Sequence, residues 1–310
     1  VHNLPNDTLF VPSGTTVYID GGARVYGNIF TEGAHDVNIF GRGEVHPDGR
    51  GAGVWVRRSK NVRIDGIVVS QLPIGQCDSV ELTNVKSISY YGWGDGMDVF
   101  SSSNVILDGV FCRNSDDCAA VYVSTQGFKG GSNNVLVKNA TLWADVAHPI
   151  NIGGHGDPNG MDTVQNVTFR NIDILDQAEK QVDYQGCLAI NPGDNTLVRN
   201  ITFENIRIED FRNGQLVNFR ISFNPKYCVS TGRGIQNVLV KDVTYNGSGE
   251  NLSIIAGYDE NHKISGIRFV NLVVNGRKIT DDMPGKPKWY KTGDMAGIFV
   301  REHVENLSFE

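Results

Sequence analysis

The ten residues Asn166-Val167-Thr168-Phe169-Arg170-Asn171-Ile172-Asp173-Ile174-Leu175 decide the fold. Val167 and Phe169 alternate with polar neighbours, as a strand with one buried face requires. Asn166 opens that run and Asn171 interrupts it, and asparagine is one of the few residues that tolerate a left-handed backbone. A second short apolar run, Ile172 to Leu175, then follows. Two strands joined by a one-residue corner describe part of a coil, not a hairpin.

The same unit returns along the chain. Starts fall at Asp36-Val37, Asn61-Val62, Asn84-Val85, Asn104-Val105, Asn134-Val135, Asn166-Val167, Asn200-Ile201, Asn237-Val238, Gly266-Ile267 and Asn306-Leu307. Five residues after the starts lie Gly41, Gly66, Ser89, Gly109, Asn139, Asn171, Asn205, Asp242 and Asn271, all turn-forming types except Ser89. Starts are 20 to 40 residues apart, and the shortest step, Asn84 to Asn104, is about the minimum for one rung of a parallel β-helix. A third run closes each rung: Met97 to Ser101, Cys118 to Ser124, Pro149 to Gly153, Cys187 to Pro192, Val217 to Phe223, Leu252 to Gly257 and Gly297 to Arg301. The pattern predicts an all-β chain, a right-handed parallel β-helix of about ten rungs forming a single domain over residues 1–310.

Composition agrees with a solenoid, in which each rung buries its face only on its neighbours, so 310 residues need not share one core. Helix signals are confined to a capping-like pattern at Asn3 to Phe10. A net charge of −7 with no basic run argues against a nucleic-acid partner. No apolar stretch reaches the ~18 residues of a membrane-spanning helix. The chain begins with Val and shows no signal-peptide pattern, which reads as a processed or trimmed start. The five cysteines, Cys77, Cys112, Cys118, Cys187 and Cys228, form no CxxC pair and no Cys/His metal spacing. Their odd number leaves at least one free thiol, with any disulfide open. The Asn-x-Thr sequons at Asn166 and Asn200 fall on rung starts and read as rung periodicity rather than glycosylation.

Chemistry gathers where the closing runs begin. Their inward apolar residues align as Met97 and Val99, Ala119 and Val121, Ile150 and Ile152, Leu188 and Ile190, and Phe219 and Ile221. Two residues before the first inward position stand Asp95, Asp117 and His148. Stacked rungs are about 4.8 Å apart, so these three groups share one column within reach of a single sugar ring. Asp116 lies beside Asp117. Carboxylates this close cannot all ionise, so at least one carries a raised pKa. A protonated acid beside ionised bases is what glycoside cleavage requires. Arg220, outward between Phe219 and Ile221, could grip a substrate carboxylate or hydroxyls, or pair with a nearby protein carboxylate. Asp98 reads as a substrate contact or a solvated face residue, and Trp93 and Trp143 as sugar platforms or rung-end packing.

Taken together, Trp93-Gly94-Asp95-Gly96-Met97-Asp98, Asp116-Asp117-Cys118-Ala119-Ala120-Val121, a histidine at the next strand start and Phe219-Arg220-Ile221 resemble the pectin-degrading glycoside hydrolase family 28, the polygalacturonases. That family's motifs are Asn-Thr-Asp, Asp-Asp, Gly-His-Gly and Arg-Ile-Lys, and the 21 and 22 residues from Asp95 to Asp116 and Asp117 match its spacing. The resemblance extends from about Val11 onward. It implies an inverting hydrolase of an α-linked, pectin-type glycan, with Asp116 as general acid, Asp95 and Asp117 holding and deprotonating water, His148 tuning the acid and Arg220 binding sugar. Two departures bear on the substrate: Asn-Thr-Asp has become Trp93-Gly94-Asp95, and the lysine of Arg-Ile-Lys has become Ser222. A literal Gly-His-Gly exists at Gly154-His155-Gly156, but it follows the strand from Pro149 to Gly153, so register favours His148 as the catalytic histidine and leaves His155 a substrate-binding candidate.

Trp143 to Gly153 is also loosely similar to family 49, the dextranases and isopullulanases. A β-helix polysaccharide lyase using the aspartates for Ca²⁺, or a non-catalytic glycan-binding β-helix, are the remaining alternatives. The expected partner is a polysaccharide or oligosaccharide, with no metal or organic cofactor, no membrane partner and a monomeric chain. A secreted or periplasmic location follows only from that inferred function.

Overall fold

The structure, a computed structural model, describes every residue except Asp48 and Glu250. Its strands form one continuous parallel ladder, the single antiparallel pairing among named strands being Arg277–Ile279 against Lys263–Val274. This is a right-handed parallel β-helix. Three strands per rung repeat in register: Val105 pairs with Val135, Val135 with Val167, Val167 with Ile201, and Ile201 with Val238. These side chains form one contiguous buried core along the helix axis. Each such aliphatic residue contributes about 1.5–3 kcal/mol by leaving water, and Phe169, Phe203 and Phe219 stack face to face within the core.

The corner residues behave as their types demand. Asn61, Asn104, Asn134, Asn166, Asn200, Asn237 and Asn306 all have φ between 53° and 57°, as do Asn139, Asn171, Asn205, Asp242 and Asn271 at the following corners. Their amides then bond rung to rung, Asn171 Nδ2 donating to Asn139 Oδ1 at 2.7 Å and Asn134 Nδ2 to Asn104 Oδ1 at 2.7 Å. Ser89 departs from the corner pattern because Asn84 is itself a corner and not a rung start. Ser79, with φ 60°, is the real start before Val80, and Asn84, with φ 53°, is its corner. A serine at a left-handed position hid the repeat.

The closing strands run over Met97–Phe100, Ala119–Tyr122, Ile150–Gly153, Leu188–Asn191, Val217–Arg220, Ser253–Ala256 and Ile298–Val300. Residues His2–Phe10 form a strand, not a helix. All five cysteines are buried and free, so no disulfide forms. Among the described residues, no helix is long and apolar enough to cross a membrane.

Candidate active site

Met97 pairs with Ala119 and Ala119 with Ile150, so Asp95, Asp117 and His148, each two residues ahead of its strand, stand in one column, and bends at Gly96, Cys118 and Pro149 turn them from the buried face toward the cleft. The backbone confirms it: Gly96 N–H donates to Asp117 O at 2.7 Å and Cys118 N–H to His148 O at 2.9 Å. Glycine is needed at position 96, where a Cβ would stand 2.2 Å from Cys118 O. Buried Asn114 donates to Asp95 O at 3.2 Å and to the Ser87 and Ser89 hydroxyls, fixing the approach to the first aspartate.

Asp117 is the hub. His148 Nδ1 lies 2.7 Å from its Oδ1, and the His148 backbone N–H donates to the same oxygen at 3.0 Å. On Oδ2 it accepts from Asn151 Nδ2 at 2.6 Å and from the Tyr122 hydroxyl at 2.7 Å. Burial alone would push its carboxyl up, but the His148 charge and the His148, Asn151 and Tyr122 hydrogen bonds together hold it below the ordinary value. Its neighbours go the other way. Burial, then the Asp117 charge, raises Asp116 to about 7. Burial and the charges of Asp116 and Asp117 hold Asp95 well above its usual value, and burial followed by Asp95, Asp117 and Asp116 does the same to Asp98. One carboxylate whose ionised form is favoured is therefore surrounded by three whose protonated forms are favoured.

Asp98 is 6% exposed, so it is no solvated face residue; it lines the cleft, and its Oδ1 has no protein partner among the described residues. The cleft, about 440 Å³, also includes Trp93, His155, Tyr184, Arg220 and Tyr227. Trp93 is 70% exposed, as a sugar platform at the rim would be, whereas Trp143 packs beneath the Arg113 guanidinium at 4.2 Å. His155 also reaches the cleft, packed between Tyr122 and Tyr227 at 5.4 and 5.8 Å, and burial lowers its pKa. His148, not His155, contacts the aspartates.

The Arg220 rung corrects the alignment. Leu188 pairs with Val217 and Ile190 with Phe219, so Arg220 lies opposite Asn191 rather than Ala189. A two-residue slip preserves the side-chain face, and Arg220 still points into the cleft. Its Nη2 meets Asp183 Oδ1 at 2.8 Å. Ser222 lines the cleft beside it, while the Lys226 ammonium sits over the Tyr227 and Tyr184 rings at 4.8 and 5.4 Å. Tyr122, Asn151 and Asp183 are site residues that the motif reading missed. For Tyr122 and Asn151 the signal was present, since both alternate outward on the strands that Asp117 and His148 lead into.

Chemically, the cluster can give one proton and accept another within a single cleft. Asp95, Asp116 and Asp117 also offer oxygens within 4.8 Å of one another, a set able to hold a divalent cation. A family model described as glycosyl hydrolases family 28 matches residues 54–283, a span that contains the whole aspartate column, His148 and Arg220. The chain belongs to glycosyl hydrolase family 28. Relatives of this family 28 chain include a polygalacturonase of Juniperus ashei, 26% identical over 67% of this chain and 39% of that protein. A probable endopolygalacturonase D of Neosartorya fischeri is 24% identical over 79% of this chain and 55% of the relative. The chain spans about half the length, or less, of these relatives. The family 28 exopolygalacturonase structure of Yersinia enterocolitica superposes with a TM-score of 0.68 at 14% identity, covering 97% of this chain and 70% of that one. An exopolygalacturonase of Thermotoga maritima gives 0.53 at 14%, over 87% and 84%. These two likenesses bear on the β-helix alone.

Proposed function

We propose that the protein is an inverting hydrolase of an α-linked, galacturonate-containing polysaccharide. The carrying observation is the convergence of Asp95, Asp116 and Asp117 within 4.8 Å of one another in one cleft, where Asp117 is held below the ordinary carboxyl value and Asp116 is raised to about 7. Asp116 gives that proton to the glycosidic oxygen as its bond to the anomeric carbon breaks. Asp117 takes a proton from the water whose oxygen forms the new bond on the opposite ring face. Asp95, which shares the column but favours its protonated form, orients that water instead of acting as an equal second base. Turnover leaves Asp116 ionised and Asp117 protonated, and solvent restores both.

Nearest oxygens within 4.8 Å are tighter than the ~6.5–9.5 Å of a lone acid facing a lone base, and approach the ~5–5.5 Å of retaining sites. Inversion at this spacing depends on Asp95 and Asp117 sharing one water beside Asp116. Family membership and the names of the relatives support galacturonate, as does the Arg220 fork in the cleft. From action on such a polymer we also propose a secreted or periplasmic location.

A screen of reducing-end release on polygalacturonate, rhamnogalacturonan, dextran and pullulan tests the reading. Release from a galacturonate polymer, unaffected by chelator and absent in Asp116→Asn, is expected. Full turnover by Asp116→Asn would refute it, and a chelator-sensitive unsaturated product would establish a lyase instead.

A further inference from the structure

Arg220 belongs to two cavities. One is the cleft of the aspartates; the other, about 420 Å³, lies on its C-terminal side and is lined by Ala256, Tyr258, Phe299, Arg301 and His303. Arg220 pairs with Ala256, and Ile254 and Ile255 pair with Phe299 and Val300. Arg301, whose N–H donates to Ile255 O at 2.9 Å, therefore continues the column of Arg220 and Ala256. The small Ala256 between two arginines leaves the floor of this cavity open. Phe299 and Tyr258, at this end of the cleft, are each about half exposed. Exposed rings beside a cleft suit the apolar face of a pyranose.

The charges divide in the same direction. Arg220 already has Nη2 on Asp183, and Ser222 offers no second cation beside it. Arg301 lies over the Phe299 ring at 5.8 Å, with its Nε 3.3 Å from exposed Glu302. The Arg301 side chain is 55% exposed, leaving the fork accessible to a ligand. We propose that the cleft continues past Arg220 into a second sugar position, where Arg301 receives the carboxylate of an acidic sugar. This rests on the proposed action on a galacturonate-containing glycan, and extends it to recognition far from the cleaved bond. Five rung pairings separate Asp117 from Arg301, about 24 Å at ~4.8 Å per rung, so only a substrate several sugars long spans both.

The test uses the full chain carrying Asp116→Asn, titrated calorimetrically with hexagalacturonate, trigalacturonate and carboxyl-reduced hexamer, with and without Arg301→Gln. Arg301→Gln should weaken hexagalacturonate binding about tenfold, as loss of a charge-assisted contact does. It should change affinity for the trimer and the reduced hexamer by less than about twofold, and Arg301→Lys should recover part of the loss because it keeps the charge without the fork. Equal weakening of hexamer and reduced hexamer, or no weakening of either, would overturn the carboxylate site while leaving the catalytic reading intact. Failure of the unsubstituted-Arg301 protein to bind any of the three would overturn both.

Discussion

Replacing Tyr122 by Phe removes one hydroxyl and little else. The ring stays stacked on Phe100 at 5.4 Å, but the 2.7 Å bond to Asp117 Oδ2 is lost. A hydrogen bond to a charged group contributes about 1.5–3 kcal/mol, and one pKa unit corresponds to about 1.36 kcal/mol, so the full loss is about 1–2 units on Asp117. Asn151 at 2.6 Å and His148 at 2.7 Å continue to hold the carboxylate, which favours the lower figure. Asp117 must be ionised to accept a proton. Raising its pKa therefore moves the acid limb of kcat/KM to higher pH by about one unit, with up to a tenfold loss on that limb and little change near neutrality. The assay is reducing-end release from polygalacturonate across the acidic and neutral range. Because the carboxyls titrate as a cluster, the limb belongs to the group as a whole, and its displacement is the quantity to read. An unmoved limb, or an equal loss at every pH, would refute the role given to the Tyr122 hydroxyl.

Further outcomes follow from the same contacts. The alkaline limb should fall through about 7, where Asp116 gives up its proton. The raised folded-state value also means that the Asp116 contribution to stability is full below the unfolded carboxyl pKa and is lost as pH rises through about 7; Asp116→Asn should remove that part of the slope in denaturant titrations, by at most a few kcal/mol at ~1.36 kcal/mol per unit. Asp183→Asn should free Arg220 and lower KM for polygalacturonate a few-fold, with little effect on thermal stability because the exposed pair contributes only ~0–1 kcal/mol. Gly96→Ala would force a Cβ to 2.2 Å from Cys118 O; a drop in melting temperature with loss of activity is expected, and an unchanged melt would contradict the close approach.

Rung architecture was legible because its rule is local. Asparagine at a left-handed corner followed by alternation needs no distant information, and it failed only where Ser79 took the asparagine's place. The column of Asp95, Asp117 and His148 was legible from its constant spacing two residues ahead of each strand, but not its presentation to the cleft: alternation alone would send these side chains to the buried face of Met97, Ala119 and Ile150, and bends at Gly96, Cys118 and Pro149 bring them out. Register across a long loop was not: Phe219 and Val217 have the same parity, and only pairing with Leu188 and Ile190 chooses between them. Burial was also hidden. Asp98 looks like any outward carboxylate until the walls of the cleft enclose it, and Asp183 reaches Arg220 from a connection whose path no periodicity specifies.

Proton NMR of the first product formed from a galacturonate oligomer bears most directly on the aspartate cluster as an acid and base acting on opposite ring faces. The wild-type protein should release the β-anomer first, and Asp116→Asn should release none. The α-anomer appearing first, as the short oxygen separation alone would allow, or turnover undiminished in Asp116→Asn, would contradict it.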